Sequence, residues 1–424
     1  MPVSSTFMFV SPLDPERRQS LSALLATLTC LPGFADPDNV EIPFARLPGL
    51  HFARFVILDD NAAADNAVYD VEIPAKLAFL GDIDGTRDAF VKDLVRIAGP
   101  GLSKIFAHCL DFNAAVPLEA WLIAHNVEPA VNYSNWPGRS VQQVQEEAAL
   151  REALLRYLPQ EQQQAASPSD LHRRLRSRVK RDGPYTASLP TTPLGESLRE
   201  MLHFVASAIL LLALVPLLLI VAPFYLVFLR RKENSDASAT ARPSAQHLRT
   251  LFVREDLDVT NQFSAFGTVK PGRFRLWTLI AVFWIVGFAT RHLYTRGRLA
   301  RVGSIHFARW VFLDDHRRLL FGSNYDGSLE AYMDDFVNKV AFGLNLVFSN
   351  GIGYPRTRFL VLDGAKDEQT FKHYIRRHQL PTEVWYKAYP GLTTADIARN
   401  ARVRLGLEAE TMSNALARQW LAEL

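Results

Sequence analysis

Two histidines and two arginines recur in the same setting. His51 and Arg54 stand in HFARFVILDD (51–60), His306 and Arg309 in HFARWVFLDD (306–315), and eight of the ten positions agree. A histidine in such a place is a candidate metal or haem ligand, and the bland alternative is a half-buried, hydrogen-bonded side chain. An arginine among apolar residues needs an acidic partner. Asp93 and Asp335, on the helical patterns that follow, are the expected partners, tying strand to helix in both copies. His and Arg three apart on one strand point to opposite faces, so that strand alone does not aim both into one pocket.

The second copy is the more polar. In SNYDGS (323–328), Asn324 and Tyr325 replace Asp82 and Ile83 of the first copy, and Tyr386, Tyr389, Arg356 and Arg358 add donors. A pocket is therefore expected from His306, Arg309, Asn324, Tyr325, Asp335, Arg356, Arg358, Tyr386 and Tyr389. His51, Arg54 and Asp93 are the first-copy counterparts. Asp84-Gly85 and Asp326-Gly327 suit turns whose carboxylates cap the next helix. No glycine-rich phosphate loop, paired CxxC, HExxH or GxSxG occurs, which points away from the common enzyme classes and leaves catalytic residues unassigned. Cys30 and Cys109 are far apart, so neither a metal site nor a disulfide framework is expected. The net charge of +3 argues against nucleic acid as a partner.

The elements around these residues repeat as well. After each HFAR strand comes LAFLGDIDG (77–85) or LLFGSNYDG (319–327), then a helical pattern, DGTRDAFVKDLV (84–95) or DGSLEAYMDDFV (326–337). GLSKIFAH (101–108) and GLNLVFSN (343–350) read as a further strand. LEAWLIAHNVEPAVNYSNWPG (118–138) and FKHYIRRHQLPTEVWYKAYPG (371–391) read as helix, strand and Pro-Gly turn, each before a closing helix. About 100 residues correspond in each half, the mark of a duplicated module. The expected class is α+β, two ferredoxin-like repeats joined by a membrane-inserted helical segment. Strand alternation puts Phe52, Arg54, Val56 and Leu58 on one face and His51, Ala53, Phe55 and Ile57 on the other. RTRFLVLDG (356–364) is an extra strand of the second copy, and residues 61–74 are a longer loop of the first.

Residues 204–229 carry no charge over 26 positions, about 39 Å as a helix against a ~30 Å hydrocarbon core. A kinked span is expected, because Pro216 and Pro223 each remove a backbone donor; a re-entrant hairpin or a buried core helix is the alternative. LWTLIAVFWIVGFAT (276–290) is short for a span. With Trp277, Trp284, Arg291, Arg296, Arg298 and Arg301 it reads as an insertion touching the membrane, or else a soluble helix packed on the second module. Arg173, Arg174, Arg176, Arg178, Lys180, Arg181, Arg230, Arg231 and Arg291 are expected at the membrane surface. Basic residues on every flank leave the positive-inside rule undecided. Both modules are expected on the cytoplasmic side, packed sheet to sheet as a pseudo-dimer within one chain. The N-terminus lacks the pattern of a cleaved secretory signal. The expected boundaries are 1–158 for the first repeat with an N-terminal helical extension, 159–202 for a basic linker and 203–231 for the transmembrane segment. Residues 232–272 are read as linker and lead-in, 273–303 as the insertion and 304–424 as the second repeat.

The HFAR…DG…YPG arrangement around an apolar segment resembles a group of uncharacterised bacterial membrane proteins. In element order the unit is similar to dimeric α+β-barrel domains, a superfamily that includes haem-dependent peroxidases and chlorite-degrading enzymes. The duplication, the apolar anchor and the missing catalytic motifs lead to the expectation of a non-catalytic protein of the bacterial inner membrane whose tandem modules bind a partner protein or an apolar small ligand. The superfamily resemblance implies the alternative, a haem- or cofactor-dependent oxidoreductase with its site in the second repeat.

Overall fold

The computed structural model describes residues 4–59, 74–184, 194–236, 241–294, 297, 299 and 301–424. It is mixed α+β, built on two sheets that face each other. The first sheet begins with β1 (Ser4–Pro12), which pairs antiparallel with β5 (Lys76–Asp84), itself paired with β4 (Leu50–Leu58). The second repeats this order with β7 (Thr260–Thr268), β9 (Arg318–Asp326) and β8 (Ile305–Leu313).

The two units then exchange strands. β12 (Thr382–Lys387), late in the second half, pairs with β4 of the first sheet, Trp385 opposite Arg54 and Tyr386 opposite Ala53. β6 (Val131–Ser134), from the first half, pairs with β8, Asn132 opposite Arg309 and Tyr133 opposite Ala308. Each exchanged strand is first held by its own unit. Val127 N donates to Met8 O at 2.8 Å, and Leu380 N donates to Ser264 O at 2.8 Å. These crossings stitch both seams between the sheets. Two short strands, β3 (Gly33–Ala35) and β2 (Thr29–Leu31), extend the first sheet beyond β12.

Alternation along each strand sorts its side chains into two layers. Ala53, Phe55 and Ile57 face outward and pack with Phe7, Phe79 and the helix α2 (Arg87–Phe106) through Phe90, Leu94 and Leu102. Val56 and Leu58 face inward with Met8, Val10 and Leu80, against Phe266, Val311, Leu313 and Leu320 of the second sheet. That inner layer is the sheet-to-sheet core. The strand faces as its sequence alternation requires over 52–58. A bulge between Leu50 and Phe52 turns His51 inward against Phe307 and Tyr389, so the expectation that His51 and Arg54 point to opposite faces is overturned.

Several elements differ from the sequence expectation. The N-terminus is the edge strand β1, followed by α1 (Arg18–Ala26), not a helical extension alone. Residues 101–106 and 343–348 are the ends of α2 and α9 (Leu329–Phe348), not strands. The stretch 356–364 forms only the two-residue strands β10 (Thr357–Arg358) and β11 (Leu362–Asp363). The described residues of 159–202 are largely helical. α4 (Val141–Gln164) and α5 (Pro168–Asp182) bury Leu150, Leu154, Leu171, Leu175 and Val179 against α11 (Thr394–Glu408) and α12 (Asn414–Leu421). Within 232–272 lie α7 (Ala245–Phe252) and all of β7. The loop at 61–73, with Arg296 and Arg298, falls outside the described residues.

The apolar segment is α6 (Leu194–Ser235), long and apolar enough to cross a membrane, with its apolar stretch almost wholly exposed. α8 (Arg273–His292) also passes that test of length and composition. It is nonetheless no appendage. Leu279, Val282 and Phe283 enter the second core, with Phe283 against Trp310 and Phe312, while Trp277, Trp284 and Ile285 remain exposed. α8 follows β7 as α1 follows β1, so it is the second unit's own sheet-covering helix, enlarged.

Candidate functional site

The repeated histidines and arginines converge between the two sheets, at the end covered by α4 and α11. Each arginine crosses to the opposite sheet. Arg54 donates to Phe263 O (2.7 Å), Ser264 Oγ (3.0 Å), Ser323 O (3.0 Å) and Asn324 Oδ1. Arg309 does the same in reverse, donating to Phe7 O (3.0 Å), Gly81 O (3.0 Å) and Asp82 Oδ1. Asn324 Nδ2 then donates to Asp82 Oδ2 at 3.3 Å, closing the network. The expected pairing of these arginines with their own helices is overturned. Asp93 pairs with Arg96, and Asp335 with Lys339, both on the outer surface. The physical reason is the strand face: Arg54 and Arg309 point inward, whereas the helices lie outside.

Two guanidiniums thus share one carboxylate, because Asn324 stands where symmetry would place a second. Burial pulls the Arg54 guanidinium down to about 9, with the Arg309 charge adding to the shift and Asp82 opposing it. It stays protonated at neutral pH. Unpaired buried charge is costly, and here backbone carbonyls of the facing sheet supply most of the compensation.

The histidines form a second symmetric layer beside the arginines. His51 Nε2 meets Asp84 Oδ1 at 3.1 Å, while Asp84 Oδ2 accepts from Val141 N, the first residue of α4, at 2.9 Å. His306 Nε2 meets Asp326 Oδ1 at 2.6 Å, while Asp326 Oδ2 accepts from Thr394 N, the first residue of α11, at 2.7 Å. Each aspartate therefore fixes a histidine and caps a distant helix at once. The nearer helices α2 and α9 are capped by Thr86 and Ser328 instead. The symmetry breaks at one place. Tyr389 OH reaches His51 Nδ1 at 3.0 Å, but Trp136 occupies the corresponding position beside His306. His306 Nδ1 and Trp136 Nε1 are left as buried polar atoms without a hydrogen-bond partner.

Of the residues singled out by sequence, the structure gathers His306, Arg309, Asn324, Tyr389, His51 and Arg54. It does not bring in the others. Tyr325 stacks on Tyr332 in the outer core, with ring centroids 4.0 Å apart, and Tyr386 stacks on Phe44 in the first core. Arg356 donates to Asp236 O and Arg358 pairs with Asp363, both at the surface. The residues that sequence reading passed over are Asp82, Asp84 and Asp326 as network members, with Trp136 and Thr394. The DxDG and NxDG phrasing held the signal, but only the fold shows which strand faces them.

The basic set on α5 is largely spent within the molecule. Arg173 and Arg174 contact Asp170, Arg176 contacts Glu410, and Arg178 and Arg181 contact Asp182. Arg230 pairs with Glu233 and Arg291 with Glu200, while Arg231 is exposed.

The interior is packed. Between Arg54, Arg309, Asp82 and Asn324 lies a cavity of about 10 Å³, near the size that holds one water. His306 has Asp326 on one nitrogen and is flanked by Phe52 and Trp136, with ring centroids at 5.4 and 6.0 Å. A haem does not fit these residues: ligand pockets run to roughly 300 Å³ or more, and His306 Nε2 is already committed. Among the described residues no group of three or more His, Cys, Asp or Glu side chains is arranged to hold a metal. In comparisons with known proteins, no family model and no curated protein matches the chain.

Proposed function

We propose that this protein is a membrane-attached, non-catalytic binding protein. Its two modules are ferredoxin-like units fused into an intrachain counterpart of a dimeric α+β barrel. The strand order, edge to centre, and the exchange of fourth strands favour that reading. The observation that carries the functional part is the filled interior, where the most chemically suggestive residues serve as cross-sheet fasteners with room for about one water. A binding surface must then lie outside. Two open clefts of about 550 and 530 Å³ are present, one beside α7 and α10 (Glu368–His378), the other at a sheet seam along Val10, Val127 and Leu313. Both suit a segment of a partner protein better than an enclosed small ligand. The apolar α6 supports attachment to a membrane, and the common body formed by the two sheets supports placing both modules on one side of it, which we take to be the cytoplasmic side of a bacterial inner membrane.

Native mass spectrometry and an absorbance scan of the detergent-purified full chain test this reading. The expected result is a colourless preparation with the bare polypeptide mass. A stoichiometric chromophore or small ligand, lost on His306→Ala, would overturn it in favour of the oxidoreductase alternative.

A further inference from the structure

α6 is fastened to one body at both of its ends. Near its start, Glu200 takes two hydrogen bonds from Arg291 (2.8 and 2.6 Å), and Phe204 stacks on Phe288 with centroids 5.7 Å apart. Near its end, Tyr225 OH donates to Thr278 at 3.2 Å and Phe228 rests on Phe274. Beyond that, Asp236 pairs with Lys270 and Arg275, and the fully buried Glu233 accepts from Phe359 N and Leu360 N, both at 2.9 Å. The less exposed positions along α6 are Ser207, Leu211, Leu214, Ala222, Tyr225 and Leu229. On either side of 215–221 their three- and four-residue steps are those of a helix seam. α6 is therefore held antiparallel against α8 near both of its ends, while 215–221 between them are exposed on every side.

α8 in turn has its opposite face on the second sheet, with Leu279 and Phe283 in the core and Gly287 placed so that a Cβ there would meet Val131 at 3.9 Å. The order outward is sheet, α8, α6. An α6 that crossed a bilayer would draw α8 and the edge of a solvated sheet to the same depth, where unpaired backbone and polar groups find no water.

Resting on the membrane reading above, we propose that α6 lies in the plane of one leaflet, its outward arc in the hydrocarbon, without crossing. That arc is Leu212, Leu219, Ile220 and Phe224, each about 70% exposed or more. An in-plane helix is ordinarily two-faced because its other side meets water. Here the other side meets α8 near both ends, so an apolar inward face there is what this placement requires. Trp277, 65% exposed, and the exposed Arg199 and Lys232 form a rim suited to the headgroup layer. The occupant of this surface is a lipid bilayer.

The test uses the full chain in sealed membrane vesicles from an expression host, with Cys30→Ser and Cys109→Ala to clear the background. Single cysteines at Arg199→Cys and Asn234→Cys are exposed to a membrane-impermeant maleimide, and Leu219→Cys carries a nitroxide for depth measurement. The expected result is labelling of 199 and 234 from the same face, with the 219 nitroxide about 5–10 Å below the headgroups. Opposite labelling, or a nitroxide at the bilayer midplane, overturns the in-plane placement and leaves membrane attachment standing. Protein that fails to float with vesicles overturns both.

Discussion

Asp82 is the carboxylate that two buried guanidiniums share, and replacing it with asparagine isolates the electrostatic part of the cohesion between the sheets. Its side chain is buried (4% exposed) and it accepts from Arg309 and, at 3.3 Å, from Asn324. Asp82→Asn keeps the shape but leaves two buried positive charges with no opposing one in the network. Removing one partner of a buried pair costs about 3–5 kcal/mol. At about 2.1 cal/mol/K per residue over a cooperative unit of this size, that is a fall in Tm of about 3–6 °C, read by thermal unfolding in detergent. The structure also supplies a rescue. Asn324 sits at the symmetric position, where it accepts from Arg54. Asp82→Asn combined with Asn324→Asp moves the carboxylate across the interface without changing the charge count, and should recover most of the loss. A single substitution within about 1 kcal/mol of the parent, or an exchange as unstable as the single change, would refute the shared-carboxylate account.

Other consequences are more local. Gly81→Ser should cost about 2–3 kcal/mol or more, because a Cβ there meets Phe52 O and the Phe7 ring at 2.6 Å; wild-type stability in denaturant titration would contradict it. Tyr389→Phe removes the His51 Nδ1 contact and should cost about 1–2 kcal/mol, with far-ultraviolet dichroism unchanged. Burial pulls the Lys270 ammonium down to about 8, against the opposing influence of Asp236. The cost of that buried charge is fully present below pH 8. It is relieved as pH rises toward the free-lysine value of 10.5, since the folded state sheds its proton first. Stability relative to Lys270→Met should therefore climb by about 2–3 kcal/mol across that window, and a flat difference would contradict the assignment.

The amount of this that could be read from residues alone has a clear boundary. Alternation fixes the faces of 52–58, and 204–229 stands out by lack of charge, because both are local patterns, whereas the bulge that turns His51 inward left no such mark. GLSKIFAH at 101–108 reads as a strand, yet α2 continues through Pro100 to Phe106, and a Cβ on Gly101 would strike Glu41 O at 2.1 Å. That constraint is a tertiary contact. The partners of Arg54 and Arg309 were misplaced on the same ground. Sequence reasoning paired each arginine with an acid on the following helix of its own copy, whereas the inward face of its strand meets the other sheet, more than 200 residues away. The counterpart of α1 was hidden because α8 is 20 residues against 9 and far more apolar, so a sheet-covering helix resembles an insertion.

The claim on which the rest depends is that the halves close on each other by exchanging strands. Disulfide trapping in the full chain measures it directly. Ala53→Cys on β4 and Tyr386→Cys on β12, in a background without Cys30 and Cys109, place two thiols on directly opposed residues. Opposed residues on paired strands have Cα atoms about 4.5–5.5 Å apart, within the range a disulfide spans. Mild oxidation should bridge them as fully as a control pair at Val56 and Ala78, neighbours within the first sheet. Thiols at 53 and 386 that stay free while the control pair closes would show that the two halves keep their own strands.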